Sequence, residues 1–272
     1  MLTFKTEKIS EHIFRIHALS SELMYLVVGS KRAALLDTGS GIGSLRTCVE
    51  QLTELPVTVL LTHGHVDHAM GASEFDQVYM NREDDDIYLQ HGSEEFRKFS
   101  LKLVDPGVEA TEADLIPTKD VTTLHDLKSG DVFDLGGVHV EVYDCPGHTR
   151  GSVVFLIPEE RTVLLGDACN EFTFLFDDYS TTVTQYQHAL EKLDVQLAGR
   201  YDRVLLSHGD GNGFPDEIQG VIRVCQDIRE GHTDDTPFSF QGVSGLIAKA
   251  MTPGKGRTDG GHGNIVYNKD RI

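Results

Sequence analysis

Short apolar, β-branched runs recur along the chain at residues 13–16, 25–28, 33–36, 57–61, 138–142, 153–157, 163–165 and 204–206, each bounded by Gly, Pro, Asp or charged residues. Such runs predict buried strands. Between them, residues 43–55, 82–104, 181–197 and 216–229 carry apolar positions at mixed three and four spacing, which predicts helices able to cover a sheet face. The order is strands first, then strands alternating with helices, then strands and helices again. It implies an α/β sandwich with mixed sheets between helix layers. No clear internal repeat is visible, and residues 1–272 read as one domain, with about 211–272 as a C-terminal extension packed on it.

Two segments stand outside this pattern. Residues 105–119 (DPGVEATEADLIPTK) read as a surface excursion after a long helix, either an ordinary exposed loop or a lid. Residues 252–264 (TPGKGRTDGGHGN) carry five glycines with Lys255 and Arg257 and precede a last strand-like run at 265–267. That run ties the loop at both ends, so an anion-binding loop stands beside the alternative of a flexible tail.

Composition narrows the partners. Of 272 residues, 24 are Lys or Arg and 43 Asp or Glu, giving a formal charge of −19. A surface this acidic opposes binding to a polyphosphate backbone and to anionic membranes, so a small-molecule partner is expected, with a homodimer left open. No run approaches a membrane-spanning helix and the first residues lack an apolar signal core, which makes the expected compartment cytoplasmic. Cys48, Cys145, Cys169 and Cys225 are widely spaced and are expected as reduced thiols.

The unusual count is 13 histidines. Residues 62–70 read THGHVDHAM, so His63, His65, Asp67 and His68 fall within six residues directly after the run 57–61. In extended chain His63 and His65 point to one side, and a turn into helix aims Asp67 and His68 at a neighbouring point. Other runs end on further donors: 33–36 on Asp37, 138–142 on the CPGH segment with His148, 163–165 on Gly166 and Asp167, and 204–206 on Ser207 and His208. These suffice for two ions, with His63, His65 and His148 on one, Asp67, His68 and His208 on the other, and Asp167 as a bridge. Nitrogen and oxygen donors without thiolate suit zinc at an open catalytic site, two Zn2+ per chain, although iron or manganese also accept such a set.

At these residues the sequence resembles the metallo-β-lactamase-fold hydrolase superfamily, through Asp37 in LLDTG, HxHxDH at 63–68, PGHTRGS at 146–152, GD at 166–167 and SHG at 207–209. The resemblance spans about residues 10–210 and implies an αββα sandwich with a dinuclear centre at one edge. The aspartate at 167 is similar to the glyoxalase II and lactonase-like branches. Cys169, two positions on, is expected as a packed thiol rather than the cysteine ligand of the best-known lactamases. The basic pattern that holds glutathione in glyoxalase II is not recognisable, and His65 speaks against the flavodiiron branch, which has glutamate there.

The expected activity is hydrolysis of a small-molecule ester, thioester or lactone by a hydroxide bridging two zinc ions, since coordination lowers the pKa of water from about 15.7 toward roughly 7. Asp67 orients the nucleophile while remaining a ligand, and Asp37 hydrogen-bonds a ligand histidine or nearby backbone. Substrate contacts are expected from residues 170–176 (NEFTFLF), with Asn170, Phe172, Phe174 and Phe176 beside an apolar pocket, and from Lys255, Arg257 and His262. His125, His139, His188 and His232 read as surface or structural. Three alternatives remain: a small-phosphodiester hydrolase, a mononuclear iron persulfide dioxygenase, and a metal-dependent binding or sensory protein.

Overall fold

The computed structural model describes residues 2–104, 107, 109–175, 177–240, 242–253 and 256–272. Seven strands form the first sheet in chain order: β1 (Lys5–Lys8), β2 (Ile13–His17), β3 (Leu23–Val28), β4 (Ala33–Leu36), β5 (Val57–Leu60), β6 (Gln77–Met80) and β7 (His125–Asp126). The second sheet begins with β8 (Val132–Asp134), β9 (His139–Asp144), β10 (Val153–Ile157) and β11 (Thr162–Leu164). Beyond β11 it continues through β13 (Arg203–Leu205) to β14 (Asn212–Gly213). A small third sheet has the order β12 (Thr173–Leu175), β17 (Ile265–Tyr267), β16 (Val243–Ile247), β15 (Thr236–Phe240).

The strands read as unbroken apolar runs because both faces are covered. In β3, Leu23, Tyr25 and Val27 enter the core between the two large sheets while Met24 and Leu26 face the helix layer. In β10, Val153, Phe155 and Ile157 face inward and Val154 and Leu156 outward. Three hydrophobic clusters therefore stack as layers. One lies under α1 (Leu45–Leu52), one between the sheets, and one under α5 (Val183–Leu197) and α6 (Glu217–Glu230). This is the αββα sandwich.

The expected helix over 82–104 is two helices, α3 (Asp85–His91) and α4 (Glu94–Ser100), each preceded or followed by a short 3-10 turn. Gly92 ends α3, and the Ser93 hydroxyl accepts the N–H of Phe96 to start α4. The excursion after them is described only in part, Asp105, Pro106 and Val108 lying outside the described residues. Its far end folds back on the sheet: Ile116 N donates to Gly41 O, and the buried Arg97 guanidinium donates to Ser40 O, Gly41 O and Ile116 O. All four cysteines are free and buried. No helix among the described residues is long and apolar enough to cross a membrane.

Candidate metal centre

One end of the sandwich collects the loops that leave β4, β5, β9, β11 and β13. The loop after β5 delivers His63 and His65 and then turns into the one-turn helix α2 (Val66–Ala69), which carries Asp67 and His68. Both large sheets contribute, and Val153 N donating to Thr62 O joins their loops at the site.

The donor atoms converge as three overlapping groups, His63 with His65 and His148, Asp67 with His68 and His208, and His63 with His68 and Asp167, the last joining the first two. Asp167 lies between the first two, its Oδ2 being 3.4 Å from His68 Nε2, 3.1 Å from His208 Nε2 and 3.9 Å from His148 Nε2. All seven residues expected at the centre are thus brought together.

Asp37 holds one histidine of each group. It sits in the left-handed region at φ +64°, which short polar side chains tolerate. Its Oδ2 accepts His68 Nδ1 at 2.9 Å and the Thr62 hydroxyl at 2.8 Å, and Thr62 Oγ1 in turn accepts His63 Nδ1 at 3.0 Å. His148 Nδ1 donates to Phe174 O at 3.0 Å. These bonds occupy Nδ1 of all three rings and turn each Nε2 inward, the atom through which an unprotonated imidazole would bind a metal.

A metal ion fits this arrangement. His63 Nε2 and His148 Nε2 lie 3.0 and 2.9 Å from His65 Nδ1, and one ring proton on His65 can satisfy only one of these contacts at a time. A tetrahedral zinc with bonds of about 2.0–2.1 Å would set such atoms about 3.3 Å apart. His68 Nε2 and Asp167 Oδ1 are buried with no hydrogen-bond partner among the described residues. Burial, then the neighbouring histidines, hold His63 and His65 well below the ordinary imidazole range. Burial opposes ionisation of Asp67 and Asp167, yet the adjacent His68 and His208 outweigh it and keep both carboxyls low, while the same carboxylates, against the effect of burial, push these two rings above the ordinary imidazole range, so each holds a proton that a bound ion would displace. Neutral imidazole and ionised carboxylate are the forms that ligate.

Three residues around the centre carry no signal that the sequence reading used. Asp84, 2 % exposed, accepts Gly64 N at 2.9 Å, Thr149 Oγ1 at 2.7 Å and Gly151 N at 2.7 Å, tying the His63 and His65 loop to the His148 loop. Both glycines make room for it. A Cβ on Gly151 would lie 2.7 Å from the Asp84 carboxylate, and one on Gly64 would lie 3.0 Å from Asp84 O and 2.7 Å from Ile87. His91, at the end of α3, accepts Val66 N through Nδ1 and stacks on His65. Glu22, buried, accepts the hydroxyls of Ser20 and Ser40 and the N–H of Ser40.

The expected substrate residues fall in different places. Phe172 and Phe174 pack edge to face at 5.7 Å in the segment that follows Asp167. Asn170 closes its own turn, its Oδ1 accepting Phe172 N and its Nδ2 donating to Gly166 O. Arg257 pairs with Asp259 and donates to His262 O and Gly263 O. His262 stacks on Phe214 at 3.6 Å and meets Asp216 at 3.0 Å. The glycine-rich loop is thus tied to the start of α6. Lys255 and Phe176 lie outside the described residues. Cys169 is fully buried in the core under α5, and Tyr186 of that helix donates to the neighbouring Ala168 O.

An αββα sandwich with a histidine and aspartate cage at its strand ends is the architecture of a metal-dependent enzyme class. The chain belongs to the metallo-beta-lactamase superfamily, whose family profile matches residues 19–208. It is 35 % identical over 183 residues to an uncharacterized protein of Mycobacterium tuberculosis, covering 64 % of this chain and 70 % of that one. It is 25 % identical over 189 residues to a hydroxyacylglutathione hydrolase of Haemophilus influenzae (66 % and 81 % covered), and 24 % over 204 residues to a human acyl-coenzyme A thioesterase (68 % and 72 %). Among solved structures, a metallo-beta-lactamase from Pontibacter korlensis superposes with a TM-score of 0.60 at 16 % identity, covering 83 % of this chain and all of that one, a likeness of fold.

Proposed function

We propose that this chain is a dinuclear zinc hydrolase that cleaves the acyl bond of a small-molecule ester, thioester or lactone, a thioester foremost. The observation that carries the reading is the pair of three-donor groups with Asp167 between them. Two relatives bear names that denote removal of an acyl group from a thiol carrier, which supports the thioester.

His63, His65 and His148 would hold one ion, Asp67, His68 and His208 the other, and Asp167 both. Bound there, the ions supply a hydroxide-like nucleophile at neutral pH and polarise the acyl carbonyl. The chain's own groups do the rest. Asp37 fixes His68 directly and His63 through Thr62, so one residue sets a ring in each group. The Asp67 carboxylate, 32 % exposed and 3.5 Å from both His68 Nε2 and His208 Nε2, would orient the nucleophile while remaining a ligand. Phe172 and Phe174 give the substrate an apolar wall beside His148.

Elemental analysis of protein purified without chelator, followed by turnover on ester, thioester and lactone panels, tests the reading. About two zinc per chain with thioester cleavage is the expected result. Full zinc loading with no cleavage of any of the three classes would overturn it, and about one iron per chain with oxygen consumption on a persulfide would replace it.

A further inference from the structure

Beside the candidate centre, four half-buried or exposed phenylalanines cluster, Phe174, Phe238 and Phe240 on the small third sheet and Phe172 just before it. Phe174 of β12 lies 5.6 Å from Phe238 and 5.5 Å from Phe240 of β15, and Phe172 lies 5.4 Å from Phe238. The strand order puts β12 and β15 at opposite edges. They meet because β16 pairs with β17 only through Leu246 and Ile247, so the outer half of the β15–β16 hairpin runs on past the sheet and closes back over β12. Thr173 and Leu175 point into the core, which leaves Phe174 on the opposite, outer face. Phe240 is 42 % and Val243 41 % exposed at the hairpin tip.

The cluster is joined to the metal centre through one imidazole. His148 Nδ1 donates to Phe174 O, and the Nε2 on the other side of the same ring is among the converging donors. We infer that these rings bind the apolar acyl chain of the substrate, so that the enzyme prefers medium-chain acyl groups to acetyl. This rests on the thioester reading and adds the substrate class to it. The hairpin lies beyond residues 19–208 while Phe172 and Phe174 lie within them, so the cluster joins the family's shared region to a part of the chain outside it. A second copy of the chain is the weaker occupant. A stable interface takes roughly 800 Å² from each partner, far more than one hairpin tip with two exposed apolar side chains provides.

The test uses the zinc-loaded full chain and a series of N-acetylcysteamine thioesters from acetyl to decanoyl, with Phe238→Ala, Phe240→Ala and Phe240→Leu. In the unsubstituted protein kcat/KM should rise about two- to fourfold per added CH2 until the chain outgrows the cluster, as expected for transfer of methylenes from water. Each alanine variant should flatten that slope, and Phe240→Leu, still apolar, should restore most of it. Equal slopes in all four proteins would overturn the inference. So would unchanged slopes accompanied by a loss of dimer in Phe240→Ala, which would assign the cluster to a second copy. If no thioester is cleaved, the thioester reading falls while the wider hydrolase reading rests on the ester and lactone panels, and calorimetric binding of decanoate to the same proteins decides the acyl site: at least fivefold weaker binding to Phe240→Ala supports it, and equal binding overturns it.

Discussion

The ring of His91 lies almost parallel to that of His65, 4.9 Å between centroids and 17° between planes, while its Nδ1 accepts the N–H of Val66 at 3.1 Å. One residue of α3 thus touches a ligand and caps the helix that carries the next two. The first N–H groups of a helix have no partner within it, and in α2 the side chain at the cap position, His65, makes no capping bond. Burial lowers His91 to about 4, so at neutral pH it is uncharged and its Nδ1 can accept.

Replacing His91 therefore loosens both contacts. His91→Ala should weaken zinc binding about ten- to a hundredfold, as loss of a residue supporting ligands commonly does, and His91→Phe, which keeps the stack but not the acceptor, should fall between. Competition with a chromophoric chelator measures this; equal affinities for all three proteins would show that His91 has no part in holding the ligands.

Asp84 is the buried tie between the two loops of histidines. In Asp84→Ala the N–H groups of Gly64 and Gly151 and the Thr149 hydroxyl lose a shared acceptor, and unsatisfied buried donors cost about 1–3 kcal/mol each. Urea unfolding of the metal-free chain should show a loss of about 3 kcal/mol. Gly151→Ala should reproduce part of it by pressing a Cβ on the same carboxylate. A loss under about 0.5 kcal/mol in both would refute the tie.

Asp167→Ala should lose at least one of the two metals and nearly all turnover, because its Oδ2 stands within 4 Å of histidines from both groups. Retention of two ions per chain with full activity, read by elemental analysis and thioester assay, would remove it from the bridging position.

Glu217 gives the fold a pH dependence away from the metals. Burial raises its carboxyl from 4.5 to about 7; the Phe214 N–H it accepts opposes the shift, Glu171 adds to it, His262 opposes it and Asp216 adds to it. Between pH 4.5 and 7 the folded chain keeps a proton that the unfolded chain has released, so stability falls as pH rises, by about 3 kcal/mol, and is level above. Glu217→Gln should match the metal-free wild type near pH 4.5 and exceed it above pH 7. Parallel urea-denaturation curves for the two across that window would contradict the assignment.

Much of the fold was legible because the central strands are buried on both faces and so appear as unbroken apolar runs, β10 (Val153–Ile157) with its expected bounds. Strands such as β6 (Gln77–Met80) and β15 (Thr236–Phe240) were passed over because polar residues interrupt them, and their membership depends on neighbours distant in sequence. The break between α3 and α4 was marked by Gly92-Ser93 and missed because apolar spacing continues across it. The donors of the candidate centre stood out by crowding into one motif and four strand ends. Asp84 did not, because in NREDDD it looks like its solvated neighbours and only the tertiary fold buries it. His91 was silent for a like reason: its partners, His65 and Val66, lie a full strand and turn earlier in the chain.

Phe174 meets the metal centre with its carbonyl and the aromatic cluster with its ring. A carbonyl is common to every amino acid, so the ring can be exchanged while the hold on His148 persists. Under the proposed function, a single substitution at this strand would change the acyl group accepted while leaving the bond to His148 Nδ1 in place.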